Sequence, residues 1–150
     1  MGSSEHSVWI AAPEVLWRVY ADPSRMPEWQ TGSPVISEMH GRSGEPGSTY
    51  VARRRPGSAI TTVVSADPPH LLLTRTDAYL GLRFDVTSLL EPERGGTRLT
   101  LRVATQWPRG MSLIGKVVES AILSGREARK ELGRLKEFVE READGRAADR

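Results

Sequence analysis

The chain has 150 residues and a mass of 16.6 kDa, the size of one domain, which excludes large multidomain machinery. Its balance of 38% hydrophobic and 27% charged residues is that of a folded globular protein. The absence of cysteine removes disulfide frameworks, Cys-ligated zinc, iron–sulfur clusters and thiol catalysis. Twenty-one Lys and Arg face 19 Asp and Glu, a net charge of +2; so slim a surplus gives no reason to expect nucleic acid as a partner. The basic residues are 18 Arg and three Lys, and Asn is absent, a skew that reads as GC-rich bacterial coding. No run of apolar residues is long enough to span a bilayer, and the first ten residues lack the basic start and apolar run of a signal peptide. A cytoplasmic protein without integral membrane association is therefore expected. Residues 1–4 resemble the start of an expression tag and receive no functional weight.

In chain order, residues 7–11 are apolar and predict a strand, stopped at Ala12-Pro13. Pro13 suits the first turn of a helix, Glu14 favours its positive end, and Val15, Leu16, Val19 and Tyr20 form one stripe at helical spacing. Asp22-Pro23 ends this helix. A second short helix is expected over 24–31, capped by Ser24, with Met26 and Trp29 on one side.

From Val35 to Trp107 the pattern becomes short runs of β-branched and aromatic residues separated by Gly, Pro and Asp clusters. These predict antiparallel strands near 35–40, 48–55, 59–66, 71–77, 80–90 and 97–107. Leu82, Phe84, Val86, Ser88 and Leu90 alternate onto one face, as do Leu99, Leu101, Val103, Thr105 and Trp107. The opposite faces carry Arg83, Asp85 and Thr87, and Arg98, Thr100, Arg102 and Gln106, so one side of the sheet faces a core or cavity and the other faces water.

A helix is predicted over 111–142. Its seam runs through Ile114, Val118, Ala121, Gly125, Ala128, Leu132, Leu135 and Val139. That rod is about 45–50 Å long, more than the ~34 Å width of seven strands. The seam is small at Ala121, Gly125 and Ala128 and large on either side, which opens space at the helix centre. Glycine inside a helix costs about 1 kcal/mol relative to alanine, so Gly125 suggests a close neighbour there, either a bulky sheet residue such as Phe84 or a ligand. Residues 1–140 form the single expected domain, and 141–150 a polar, disordered tail.

The stretch Val8 to Trp17, followed by Ala21-Asp22-Pro23 and Met26-Pro27-Glu28-Trp29, resembles the opening of the START-related, Bet v 1-like (SRPBCC) superfamily. The resemblance is to its bacterial polyketide cyclase/dehydrase and lipid-transport branch. Pro46-Gly47, Asp67-Pro68-Pro69, Leu90-Glu91-Pro92, Gly96-Thr97 and Leu135-Lys136 extend it along the chain. The resemblance implies an α+β helix-grip fold, in which a seven-stranded antiparallel sheet curves around the C-terminal helix with a hydrophobic cavity between them. It implies a hydrophobic small-molecule ligand such as a lipid or polyketide, and no cofactor.

Phosphate-loop, dinucleotide, zinc-protease and serine-hydrolase motifs are absent from the sequence. His6, His40 and His70 lie apart, so no metal is expected. Candidate ligand-binding residues are Trp29, Tyr50, Arg54, Leu82, Phe84, Val86, Leu101, Val103, Trp107, Met111, Val118, Ala121 and Gly125. Arg54 belongs to the one basic run, Arg53-Arg54-Arg55; it is either a solvated edge charge or a polar anchor in an apolar pocket. Trp29, Trp107 and Met111 would lie near the cavity entrance in that fold. Three functions remain open: binding of an apolar or amphipathic molecule, a cyclase or dehydratase with Arg54 or Tyr50 stabilising an enolate, and an interaction module using Trp9 and the outer sheet face, including a homodimer contact.

Overall fold

The computed structural model describes residues 2–30, 32–54, 57–78, 81–106 and 125–148. Seven strands make one antiparallel sheet in the order β1-β7-β6-β5-β4-β3-β2. They are β1 (Gly2–Ile10), β2 (Val35–His40), β3 (Thr49–Arg54), β4 (Gly57–Asp67), β5 (Leu71–Asp77), β6 (Arg83–Glu93) and β7 (Gly96–Gln106). Between β1 and β2 lie helix α1 (Pro13–Tyr20) and a 3-10 helix (Pro23–Glu28), and helix α2 (Gly125–Ala148) ends the described chain. This is the helix-grip α+β fold.

Each strand after β2 follows its neighbour by a short turn, so the sheet is a meander that the first strand closes by pairing with the last. The registers of β2 against β3 and of β4 against β5 shift once each, near Ser37–His40 and Val63–Ser65. Such bulges bend and twist strands. On the outer face, cross-strand ion pairs join Arg75 to Asp85, Arg83 to Asp77 and Arg102 to Glu5. Each is exposed and stabilises by less than about 1 kcal/mol, but together they keep that face wet.

Several boundaries differ from those predicted. β1 starts at Gly2, five residues earlier than expected, because β7 supplies partners as far as Thr105. β6 runs to Glu93 because Glu93 pairs with Gly96 across a two-residue Arg94-Gly95 turn. Both turn residues have positive φ, 50° and 78°, the geometry that matches strand twist in tight hairpins. The 3-10 helix is capped by Asp22 and not by Ser24. The Asp22 Oδ1 accepts from the Ser24 N–H and hydroxyl at 3.0 and 2.7 Å. Pro23 and Pro27 supply no N–H, which denies this segment an α-helical ladder.

Residues 141–148, expected as a tail, are helical. Helix α2 continues past Arg141, held by the Arg25–Glu142 ion pair and by Ala143 against the core. Arg25 also lies over the Phe138 ring, 5.0 Å from its centroid.

The core gathers at one end of the concave face. Leu132, Leu135 and Val139 of α2 pack with Val15, Leu16 and Val19 of α1 and with Ile10, Leu90 and Leu99 of the sheet. Three of these seam positions, at spacings of three and four, are the stripe that an amphipathic helix must bury. The expected helix over 111–124 lies outside the described residues.

Candidate functional site

Beyond that core the concave face opens into a pocket of about 520 Å³. Its floor is built from Leu82, just before β6, and from inward positions of the central strands: Phe84 at the start of β6, Leu101 and Val103 on β7, and Thr61 and Thr76 on β4 and β5. Its walls are Tyr50 of β3, Met26 and Trp29 of the 3-10 helix region, and Ala128 and Glu131 of α2. The lining is mostly apolar with a few polar groups, which is the composition of sites for organic ligands.

The polar groups have defined partners. Thr61 and Thr76 share a hydrogen bond of 2.8 Å between their buried hydroxyls. Tyr20, also on the wall, bonds the Ser88 hydroxyl at 2.6 Å. Burial pushes the Tyr20 phenol well above its ordinary range; the Ser88 hydrogen bond opposes this in part, and Tyr50 and Glu131 add to it. Tyr20 therefore stays protonated at neutral pH and acts as a hydroxyl, not as a base. Its ring stacks on Trp29 with centroids 5.8 Å apart. Trp29 is 5% exposed, and its indole Nε1 has no acceptor among the described residues.

Of the residues singled out from sequence, Trp29, Tyr50, Leu82, Phe84, Val86, Leu101 and Val103 line this pocket. Arg54 closes β3, its backbone in register with Gly57, and its side chain lies outside what is described. Trp107, Met111, Val118 and Ala121 lie outside the described residues. Gly125 opens α2, and its surroundings are likewise outside. Ala128, the next small residue of the seam, is on the wall.

Sequence reasoning missed Ser4 and His6, which also line the pocket. Their signal was register: His6 pairs with Leu101 and Ser4 with Val103, so inward partners make them inward too. His40 lines the pocket from the end of β2, while His70 approaches the Leu90 carbonyl at 3.4 Å. Among the described residues no three His, Asp or Glu side chains form a metal-holding group, and no helix is long and apolar enough to cross a membrane.

Trp9 is not the free apolar contact considered from sequence. Its indole N–H donates to the Glu93 carbonyl at 2.7 Å, and the Lys136 ammonium sits over its ring. Alternation sends it away from Val8 and Ile10, but the edge of the sheet folds these groups against it.

The family model for polyketide cyclase / dehydrase and lipid transport proteins matches residues 1–140. The chain belongs to this family. Solved structures share its fold at low identity. A protein of Rhodobacter sphaeroides is 23% identical with a TM-score of 0.66, over 91% of each chain. One of Mesorhizobium loti is 18% identical with a TM-score of 0.71, over 93% of this chain and 98% of that one. A norcoclaurine synthase point mutant of Thalictrum, solved with a transition-state analogue, is 14% identical with a TM-score of 0.64, over 95% and 96%. Likeness at these identities establishes the fold alone. No curated protein matches the sequence.

Proposed function

We propose that this family member binds an apolar or amphipathic small molecule between the inner face of the sheet and the C-terminal helix. The observation that carries the reading is the pocket of about 520 Å³ at the end of the concave face where the packed core stops. A cavity of this size suits a ligand of drug-like dimensions. Leu82, Phe84, Val86, Leu101 and Val103 would supply the apolar contact area, at roughly 25 cal/mol for each Å² removed from water. The family description, which includes lipid transport, is consistent with such a cargo.

Catalysis on the same scaffold is the second reading, favoured by the family's cyclase and dehydrase members. Here Tyr20 would donate a hydrogen bond to a developing oxyanion and not take up a proton, since burial keeps its phenol protonated. Binding is the simpler account because it asks only for the shape and polarity that the pocket offers.

The test is a titration with N-phenyl-1-naphthylamine, a neutral fluorophore that brightens in apolar surroundings, alongside native mass spectrometry of protein from its own host. Saturable brightening and a co-purified small molecule are expected. A flat titration together with an empty mass spectrum would remove the proposal.

A further inference from the structure

We infer that the threonine hydroxyls on the inner face of β4 and β5 are the pocket's polar landing point, and that the ligand sets an uncharged oxygen, a carbonyl or a hydroxyl, against them. The inference rests on the reading of the pocket as a small-molecule site. Register puts Thr61 opposite Thr76 and Val63 opposite Thr74 on these two strands, and all four residues line the pocket. Alternation gives Thr74 and Thr76 the same face of β5.

Threonine on the outer face of a sheet needs no explanation. On the inner face, valine would fill nearly the same space with no hydroxyl to take out of water. Thr61 and Thr76 are buried and satisfy each other only in part: two hydroxyls carry two protons, and their 2.8 Å bond uses one. Thr74 is the most open of the three. It is half-buried on the pocket floor, and no hydrogen bond joins its hydroxyl to another described residue. The floor therefore holds an unspent donor where the pocket touches it.

The rest of the floor sets the ligand's direction. On β6 and β7 the lining residues are Phe84, Val86, Leu101 and Val103, all apolar, and Thr74 pairs across with Val86 and Thr76 with Phe84. The boundary between hydroxyls and apolar side chains runs between β5 and β6. An amphipathic ligand thus lies across the strands, its carbon skeleton over β6 and β7 and its oxygen over β5. Every lining residue of β4 and β5 is neutral. An ionised group taken out of water there would find no opposite charge on those strands, whereas a neutral oxygen needs only the hydrogen bond.

The test uses two probes of nearly the same shape, 2-acetylnaphthalene and 2-isopropenylnaphthalene, which differ in C=O against C=CH2. Thr74→Val, and Thr61→Val combined with Thr76→Val, keep the side-chain shape and remove hydroxyls. Each should lower the ketone-over-alkene affinity ratio about threefold or more, the effect of one neutral hydrogen bond, while alkene affinity stays within about twofold. Thr62→Val makes the same change on the outward side of β4 and should leave the ratio unaltered. Intermolecular nuclear Overhauser contacts in the parent locate the probe: the acetyl methyl should touch the methyl groups of Thr74 and Thr76, and the naphthalene protons those of Val86, Leu101 and Val103. That measurement decides the matter even where a variant fails to fold. At about pH 8, 2-naphthoate, which carries a carboxylate on the same rings, should bind more weakly than the ketone. A ratio unchanged in either inner-face variant, an acetyl methyl resting on the β7 side chains, or 2-naphthoate binding at least as tightly as the ketone would overturn the inference and leave the pocket reading intact. If the parent binds none of the three probes, the pocket reading falls and this inference falls with it.

Discussion

The Lys136 ammonium lies 4.9 Å from the centre of the Trp9 ring and donates to the Trp9 carbonyl oxygen at 3.0 Å. One side chain of the C-terminal helix thereby fixes the end of the first strand, across 127 positions of sequence. Lys136→Met would keep most of the apolar stem and remove both interactions, together with the partly exposed Lys136–Glu140 ion pair at 3.4 Å. A cation over an aromatic ring contributes about 0.5–1 kcal/mol at partly exposed sites, and a charged hydrogen bond somewhat more. The expected loss is about 1–2 kcal/mol, or a fall in Tm of roughly 2–8 °C. Thermal melts followed by circular dichroism would measure it, and an unchanged Tm would mean that water serves the carbonyl equally well.

The same tryptophan explains a glycine. A Cβ built on Gly96 would stand 2.5 Å from the Ile10 carbonyl oxygen and 2.7 Å from the Trp9 ring. Backbone on one side and a pinned indole on the other leave it nowhere to go. Gly96→Ala should therefore destabilise by about 1–3 kcal/mol through overpacking. Gly95→Ala, one residue earlier, should cost through backbone strain alone, because its φ is +78° and nothing lies within 4 Å. Denaturant melts separate the two causes when Trp9→Ala is added, since that change should relieve part of the Gly96→Ala penalty and none of the other.

Much of this architecture is written in alternation and spacing. Leu82, Phe84 and Val86 pointed inward because every second residue of a strand shares a face, and Leu132, Leu135 and Val139 pointed to the core because helical spacing puts them on one stripe. The inward position of Thr61 and Thr76 was not legible: threonine signals a strand whichever face it occupies, and their partnership depends on the register of β4 against β5. Ser4 was set aside with the tag-like first residues and His6 as an isolated histidine, and only pairing with β7 shows which way they face. The Trp29 indole shows the other limit. Its ring could be placed near a cavity from the family resemblance, but a missing acceptor is a property of all its neighbours together.

The buried Tyr20–Ser88 pair gives a stability prediction with a sign. Tyr20→Phe leaves the Ser88 hydroxyl buried without its partner, which costs about 1–3 kcal/mol, whereas Tyr20→Phe with Ser88→Ala removes both groups and should recover part of the loss. A denaturation cycle on the four proteins measures the coupling, and simple additivity of the two single changes would count against it.

The pH dependence of Tyr20 follows from the same burial. Its folded-state pKa lies above the ordinary value near 10, so above about pH 10 the unfolded chain releases this proton while the folded chain keeps it. Stability therefore falls as pH rises past 10, by up to about 1.4 kcal/mol per pH unit from this group, and is unaffected below. Denaturant melts of the parent and of Tyr20→Phe between pH 8 and 11 should converge at the alkaline end. Parallel curves would show that the folded state ionises as readily as the unfolded chain.

Ala128 offers the most direct control over the pocket. It sits on the wall, half-buried, one helical turn before the fully packed Leu132. In Ala128→Leu the larger side chain would either project into open space or collide with the sheet, and the two cases differ in sign. Leucine is nearly as good a helix former as alanine, so helix propensity barely enters. If the space is open, the added carbons bury apolar surface at about 0.8 kcal/mol per methylene at most, and stability holds or rises while N-phenyl-1-naphthylamine binding weakens at least fivefold. If the wall is already packed against the sheet, overpacking costs about 1–3 kcal/mol and Tm falls. Ala128→Ser supplies the control, since it changes volume little and should leave probe affinity within about twofold. A folded Ala128→Leu protein that binds the probe as tightly as the parent would place the probe elsewhere and remove α2 from the binding site.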